Sequence, residues 1–383
     1  RPRWPLLGGG ANIAGARGIA PAAAAVEQQA APDWRAAHDG LKPQRVTLPV
    51  GNTEIVLETG EIGRQANGAI MASCGETMVY ATACCGGSAG DGSFVPLTVN
   101  YSERFSAAGR TAGGYIKRDG RTKDSDVLVS RLVDRPIRPM FKKGWASETQ
   151  VLEWVMSYDG VNCPEPLAIT AAAAALLVSD IPFEKAVAGV RVGYIAKDDR
   201  IVINPSMQEQ QRSALDLMVA GTRDAILMIE GFCDFLTEEQ MLRAVEAGHA
   251  AVSSMCEKME AWAQQVGKPK RTGLVLPPAG LQQEVNALVY DKLVNGYMTL
   301  GTKDGRNQLE SEAEAAVQSA LGGRDGGPTA VQLSLAVKEA KSAAMRAVVL
   351  DAGRRMDGRG LRDVRVITSR ATPLPRTHGS ALF

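Results

Sequence analysis

A cluster of positive charge between Arg104 and Lys143 has the clearest chemical potential in this sequence. These 40 residues contain eleven Lys or Arg and four Asp, although the whole chain has a formal net charge of only +1. Four glycines divide the first half of the segment, at positions 109, 113, 114 and 120, and glycine permits backbone conformations that other residues avoid. Cations spaced along such a loop suit a ligand whose negative charges repeat along a strand. The alternative is a solvated basic surface that binds nothing.

The composition restricts the class of protein to which this segment can belong. The chain has 383 residues, of which 45% are apolar, so it is long enough for two or three units with full hydrophobic cores. It contains no stretch of eighteen apolar residues, so no insertion into a membrane is expected. Its six cysteines form no C-x-x-C pair, which predicts free thiols and no zinc site.

The elements that would position the basic segment are predicted to form an α+β core. Alternating apolar residues between turns predict strands at 46–50, 54–58, 69–73, 78–84, 151–157, 187–195, 201–203, 215–220 and 225–229. Helices are predicted at 124–133, ending at Arg135-Pro136, and at 167–178. A capping-box pattern at Thr237 and Gln240 predicts a long helix to about Val266. One side of that helix should carry Leu242, Val245, His249, Val252 and Met259.

The pattern changes after this long helix. A basic, Pro-containing stretch at 268–279 predicts a linker, and residues 280–350 carry only helical signals, at 281–299, 308–321 and 330–350. Alternation resumes at 351–383 and faintly repeats the pattern at 55–71. We therefore predict a first core at 42–267, an all-helical domain at 280–350 and the beginning of a second, duplicated core. That last segment should be loose unless more chain follows, because a lone pair of strands buries no core.

Several strings in the chain resemble the polynucleotide phosphorylase family. The most specific are VPLTVNYSER (95–104), AAGRTAGGYIKRDGR (107–121), SRLVDRPIRPMF (130–141), RMDGRG (355–360) and LPRTHGSALF (374–383). The resemblance covers roughly residues 42–383 and implies an RNase PH-like fold for the first core. It also implies a 3′–5′ phosphorolytic exoribonuclease, or polyribonucleotide nucleotidyltransferase, that degrades RNA to nucleoside diphosphates. Homotrimers, single-stranded RNA and other RNA-decay proteins are the implied partners.

The resemblance implies that the second core carries the catalytic residues. There a Ser-rich turn holds inorganic phosphate, and an Asp pair with a Lys serves Mg²⁺ and the reaction. The corresponding turn here contains Asn162, Cys163 and Pro164, and only Asp216 matches the Asp pair, because Gln210 and Met218 occupy the other two places. We expect no catalytic residue and no metal site in this portion, with Asp216 a degenerate, structural position. The alternatives are a non-catalytic RNA-binding or assembly fragment and an active single-core exoribonuclease.

RNA binding is the role that the resemblance leaves to this portion. In the family, a loop of two aromatic residues followed by basic ones lies at the entrance of a three-subunit ring. Tyr115, Lys117, Arg118 and Arg121 match that loop, and Ile116 replaces the second aromatic residue. Arg135 and Arg138 are less specific candidates, because the neighbouring prolines position each guanidinium either for RNA or for a structural pair.

The first residues suggest a cellular location. Arg1, Arg3 and Arg17 precede the first acidic residue, Glu27, in a stretch rich in Ala and Gly. This composition is typical of an organelle transit peptide, so residues 1–41 are predicted to be a transit peptide or disordered. We expect a chloroplast location, with the mitochondrion as the alternative; an untargeted tail is the other interpretation.

Overall fold

Two sheets build the core that the computed structural model shows, and the structure describes residues 42–89, 94–323 and 327–383. The first sheet has the order β1-β2-β3-β4-β6-β5 and is antiparallel except for β5 and β6, which are parallel. The second has the order β10-β9-β7-β8 and is antiparallel. The predicted transit peptide at 1–41 lies outside the described residues.

The first sheet consists of β1 (Gln44–Val50), β2 (Thr53–Thr59), β3 (Gly68–Cys74), β4 (Thr77–Ala89), β5 (Leu97–Glu103) and β6 (Ser147–Ser157). The second consists of β7 (Ala188–Ile195), β8 (Arg200–Ile203), β9 (Leu215–Gly221) and β10 (Ile226–Cys233). The helices of this region are α1 (Asp124–Ile137), α2 (Pro164–Val178), the short α3 (Met207–Gln210) and α4 (Glu238–Val266). The predicted strands and the two longer predicted helices are therefore confirmed. The α+β class follows from them.

Helix α2 occupies the centre of this core. Its residues are apolar on every side, and nearly all of them are buried against strands of both sheets. Glycine makes the close approach possible: a Cβ on Gly189 would lie 2.9 Å from the Ile169 Cβ, and one on Gly68 would collide with the Ala175 carbonyl oxygen. The packing of α2 sets the position of its N-terminus.

Helix α4 begins with the predicted capping box, in which Thr237 and Gln240 each bond the other's backbone N–H. Its buried face differs in part from the prediction. Val252 and Met259 are buried, but Leu242 is exposed. The buried stripe instead starts at Ala244 and continues through Gly248, because these small side chains let α4 lie close to the second sheet.

The prediction that α1 ends at Arg135-Pro136 is wrong. The helix continues to Ile137, and a single 3₁₀ turn follows at Arg138–Met140. A proline in the last turn removes only one backbone hydrogen bond. Burial of Pro136 and Ile137 offsets that loss. Strand β5 was not predicted, although Leu97, Val99 and Tyr101 alternate with polar residues as in a strand with one buried face.

A second hydrophobic cluster lies in the helices α5 (Leu281–Thr299), α6 (Lys303–Leu321) and α7 (Ala330–Ala352). All three predicted helices are confirmed. Lys143, which follows the 3₁₀ turn after α1, forms an ion pair with Glu339 of α7, with 2.7 Å between Nζ and Oε2. Beyond α7 the described chain forms only β11 (Arg370–Ala371) and β12 (Ala381–Leu382), with large apolar side chains exposed at Val364, Val366 and Phe383. The domain boundaries stay a prediction. None of the helices in the described ranges is both long and apolar enough to cross a bilayer.

Candidate nucleic-acid interface

The basic loop connects β5 to α1 and is fixed at both ends by cation–ring contacts. The Arg104 guanidinium carbon lies 5.7 Å from the centre of the Trp154 ring. At the other end, Lys123 Nζ lies 4.8 Å from the centre of the Phe105 ring and donates to the Glu103 carbonyl at 2.9 Å. Such contacts hold the cations at the two ends of the loop and leave the residues between them flexible.

Only one of the four loop glycines is required by backbone geometry. Gly109 has a φ of 66°, in the left-handed region, and ends the 3₁₀ turn at Phe105–Ala108. At Gly113, Gly114 and Gly120 an added Cβ would meet no atom within 4 Å. The last three therefore provide flexibility and open space.

The tip of the loop presents an aromatic ring and three cations to solvent. Tyr115 is fully exposed, and Lys117, Arg118 and Arg121 are exposed as well. Lys117 has a φ of 52°, and its N–H donates to the Gly114 carbonyl at 3.0 Å, which turns the chain sharply at the tip. Within the described ranges, the side chains of these three cations make no ion pair or hydrogen bond. The geometry leaves them able to contact phosphates.

Arg118 and Arg121 also line a cleft of about 950 Å³ beside the loop. The walls of this cleft come from β5, the start of α1 and Trp154 of β6. The loop tip and the cleft therefore form one continuous surface.

Arg138 occupies a structural position. Its Nε and Nη2 donate to the two carboxylate oxygens of Asp134 at 2.9 and 2.6 Å, and its other donors reach the carbonyls of Val95 and Leu97 at 2.9 and 3.2 Å. One guanidinium thereby joins the end of α1 to the start of β5. Four of its five N–H donors are used within the chain, so the geometry favours the structural pair with Asp134 over RNA contact.

Arg135 is also paired. It bonds Glu230 on β10, so it connects α1 to the edge of the second sheet. Both partners remain about half exposed, and an exposed ion pair of this kind contributes little to stability. Of the six predicted RNA-binding residues, the structure brings Tyr115, Lys117, Arg118 and Arg121 together and places Arg135 and Arg138 elsewhere.

The turn before α2 contains the predicted replacements Asn162, Cys163 and Pro164, and Asp159 organises it. The Asp159 carboxylate accepts from the backbone N–H groups of Val161 and Asn162 at 2.7 and 2.8 Å and from the Asn162 side chain at 2.7 Å. Burial alone would raise its pKa, but the hydrogen bonds from Asn162 and Val161 lower the pKa of Asp159 to about 2. The backbone donors of Val161 and Asn162 are therefore occupied by Asp159.

Arg191 of β7 connects this turn to the position of the degenerate carboxylate. Its Nε lies 3.0 Å from Asp216 Oδ1 without the alignment of a hydrogen bond, and its Nη1 lies 3.8 Å from Glu165 Oε2 and contacts the Cys163 sulfur. Two carboxylates and one guanidinium leave this cluster with a net negative charge. An arriving phosphate would be repelled, and Pro164 at the start of α2 removes a backbone donor that could bind it.

The Cys163 thiol is expected to stay protonated. Burial raises its pKa well above the usual range, and the charge of Glu165 adds to this effect, with Arg191 opposing it. Among the residues described, no group of three or more His, Cys, Asp or Glu is arranged to hold a metal ion. Arg191 lies beside both Asp216 and Glu165, so the cluster has the character of a structural ion pair.

Two family models match the chain. The first, described as 3′ exoribonuclease family, domain 1, matches residues 53–182, and the second, domain 2 of the same family, matches residues 185–251; together they span just over half of the chain. This chain belongs to the RNase PH family of 3′ exoribonucleases. The match covers both sheets except β1, and about the first half of α4.

Curated relatives extend the similarity of this RNase PH family member beyond those residues. A polyribonucleotide nucleotidyltransferase of Protochlamydia amoebophila is 45% identical over 347 residues, which are 90% of this chain and 49% of that protein. A probable chloroplastic polyribonucleotide nucleotidyltransferase of rice is 40% identical, over 88% of this chain and 42% of that protein. The chain thus spans about half the length of the curated relatives it matches. The crystal structure of rice Rrp46 aligns with a TM-score of 0.45 and 17% identity, over 59% of this chain and 100% of that one.

Sequence reasoning missed Arg191, the partner of Asp216. The signal was present, because β7 carries a single charged residue between buried valines. Trp154 was missed as well, although its neighbours on β6 alternate between buried and exposed and place it on the outer face.

Replacing Asp216 with Asn should lower the free energy of unfolding by about 1 kcal/mol, because Arg191 loses its closest carboxylate. The loss is small because water partly solvates the wild-type pair. Urea unfolding measures the loss. Asp224→Asn, which breaks the exposed pair with Lys185, is the control and should have no measurable effect. If Mg²⁺ raised the melting temperature of the wild-type chain but not of Asp216→Asn, Asp216 would be a metal ligand and the structural assignment would be wrong.

Proposed function

We propose that this chain is the N-terminal part of a polyribonucleotide nucleotidyltransferase, in which it gathers single-stranded RNA for 3′–5′ phosphorolysis. The observation that carries the proposal is the exposed loop tip at Tyr115, Lys117, Arg118 and Arg121, whose cations have no internal partner in the described structure. The curated names of the relatives supply the activity. An exposed aromatic ring beside unpaired cations suits stacking on a base and contact with the adjoining phosphates.

This core would not break the phosphodiester bond. Phosphorolysis requires donors for inorganic phosphate and carboxylates for Mg²⁺, and the residues here do not fit either group. Asp216 is paired with Arg191, and the turn at Asp159–Asn162 uses its own hydrogen bonds. We assign both groups to a second core, of which residues 351–383 would be the beginning. The alternative is a purely RNA-binding or assembly role, which the pairing of Asp216 with Arg191 also supports.

The assembly and location are part of the same proposal. In a homotrimer, three copies of the loop would surround one entrance, and three weak contacts would combine into tighter binding through local concentration. Other RNA-decay proteins would be further partners. The chloroplastic name of the rice relative supports a plastid location, with the mitochondrion as the alternative.

A single assay tests the proposal. The chain should bind poly(A) at low salt and release no ADP when phosphate and Mg²⁺ are added, whereas a longer protein that includes the second core should release ADP only when phosphate is present. Release of ADP by the chain alone would contradict the non-catalytic assignment. Failure of the chain to bind poly(A) at about 50 mM salt, where phosphate contacts are strongest, would contradict the RNA role.

A further inference from the structure

The cleft beside the loop contains two aromatic side chains that the loop tip does not use. Trp154 extends from the outer face of β6 and is 45% exposed, and Phe105 begins the 3₁₀ turn after β5 and is 40% exposed. Both line the same cleft of about 950 Å³. Trp145 and Trp262, by contrast, are buried in the core. Exposure of a large ring in a concave site indicates a ligand that covers it.

Each of these rings already has a cation beside it. Arg104 lies against Trp154, and Lys123 lies against Phe105. A cation next to an aromatic ring is the arrangement in which a base can stack while its phosphate meets a positive charge. A purely apolar partner would have to remove water from these cations, which is costly.

The charges in the cleft are separated by depth. Arg118 and Arg121 are exposed at its rim, where they outnumber the exposed Asp119, whereas the Asp126 side chain is buried and Glu103 is half-buried. Phosphate groups would therefore meet cations at the rim. Carboxylate oxygens deeper in the cleft can accept hydrogen bonds from the amino groups of bases but would repel phosphate. This order of charges fits a base that points inward from a backbone that remains outside.

We propose that an unpaired RNA base enters this cleft and stacks on Trp154, while the sugar-phosphate backbone passes over Arg118 and Arg121. The inference rests on the proposed RNA-binding function and adds a second contact to it. The strand would run from the loop tip directly into the cleft, because the same two arginines belong to both surfaces. The cleft would thus hold RNA by its bases, which the phosphate contacts of the loop cannot do.

Trp154→Ala tests the stacking contact, with Met156→Ala as the matched control. Met156 is exposed on the same face of β6, two residues further on, and does not line the cleft. The probes are a fluorescent twelve-residue oligoadenylate and an abasic oligomer of the same length. Trp154→Ala should weaken oligoadenylate binding about tenfold, within the range that aromatic stacking provides per base, and leave binding of the abasic oligomer unchanged. Trp154→Phe should keep most of the affinity, and Met156→Ala all of it.

Several outcomes would overturn this assignment. Unchanged oligoadenylate affinity in Trp154→Ala, or an equal loss for the abasic oligomer, would show that no base stacks there. A change in oligomer mass by light scattering, with RNA affinity unchanged, would assign Trp154 to a protein interface instead. Trp154→Thr, which suits an exposed strand, replaces the alanine variant if that one unfolds. If the wild-type chain bound neither oligomer, the proposed function itself would be wrong. The other outcomes contradict only the stacking contact and leave the proposed function intact.

Discussion

Simultaneous replacement of Lys117, Arg118 and Arg121 with alanine is expected to lower the affinity for single-stranded RNA by about a hundredfold at about 0.1 M salt. Each cation that contacts a phosphate releases counterions, and for single strands the slope of log affinity against log salt falls by about 0.7 per contact. Removing three contacts should therefore reduce the slope by about two. Fluorescence anisotropy with an oligoadenylate, measured over a series of salt concentrations, gives both quantities.

The control removes the same number of charges from another part of the surface. Arg212, Lys258 and Arg346 are exposed, and their triple alanine variant changes the net charge by the same amount. Its salt slope should equal that of the wild type. If both triple variants lost affinity equally, the loop would contribute only to the overall charge, and Lys117, Arg118 and Arg121 would have to be removed from the proposed interface.

Replacing the buried Glu153 with leucine is expected to stabilise the chain by about 2 kcal/mol at pH 7, because an unpaired carboxyl group in an apolar core is destabilising. Glu153 lies on the core side of β6, opposite Ala81 of β4 and Tyr101 of β5, and is fully buried. Neither of its carboxylate oxygens has a hydrogen-bond partner among the described residues. Chemical denaturation of wild type and Glu153→Leu measures the difference.

The same residue predicts a pH dependence of stability. Burial raises the pKa of Glu153 well above that of an ordinary glutamate, so the folded chain keeps a proton that the unfolded chain releases. Stability therefore falls as the pH rises above about 4.3, the ordinary glutamate value, and continues to fall by about 1.4 kcal/mol per pH unit until the folded-state pKa is reached.

Glu153→Gln should remove this dependence, and Glu148→Gln, at an exposed position on the same strand, should retain it. The measurement is the free energy of unfolding from pH 4 to pH 8 for all three proteins. Parallel curves for wild type and Glu153→Gln would show that the carboxyl group is solvated or paired, contrary to the burial seen in the structure.

Much of this fold could be read from local patterns. The capping box at Thr237 and the alternation in β1 to β4 depend on residues close together in sequence, and both are confirmed. The α+β class and the RNase PH-like core followed from such patterns and from the specific strings near Arg118 and Arg138. The expectation that this core is non-catalytic came from the sequence, in which Asn162 and Pro164 replace hydroxyl groups, and it stays a prediction.

Long-range contacts decided the rest. The parallel pairing of β5 with β6 joins residues about fifty positions apart, and the alternation within a strand does not show which strand it pairs with. Whether a cation is free or paired was equally undetermined by the sequence: Arg138 and Arg118 lie in similar basic strings, but only Arg138 meets a carboxylate and two carbonyls. Tertiary packing alone brought Arg191 to Asp216 and Trp154 to the cleft. The sequence determined which side chains carry charge or an aromatic ring, and the packing of distant strands determined which of them remain available to a ligand.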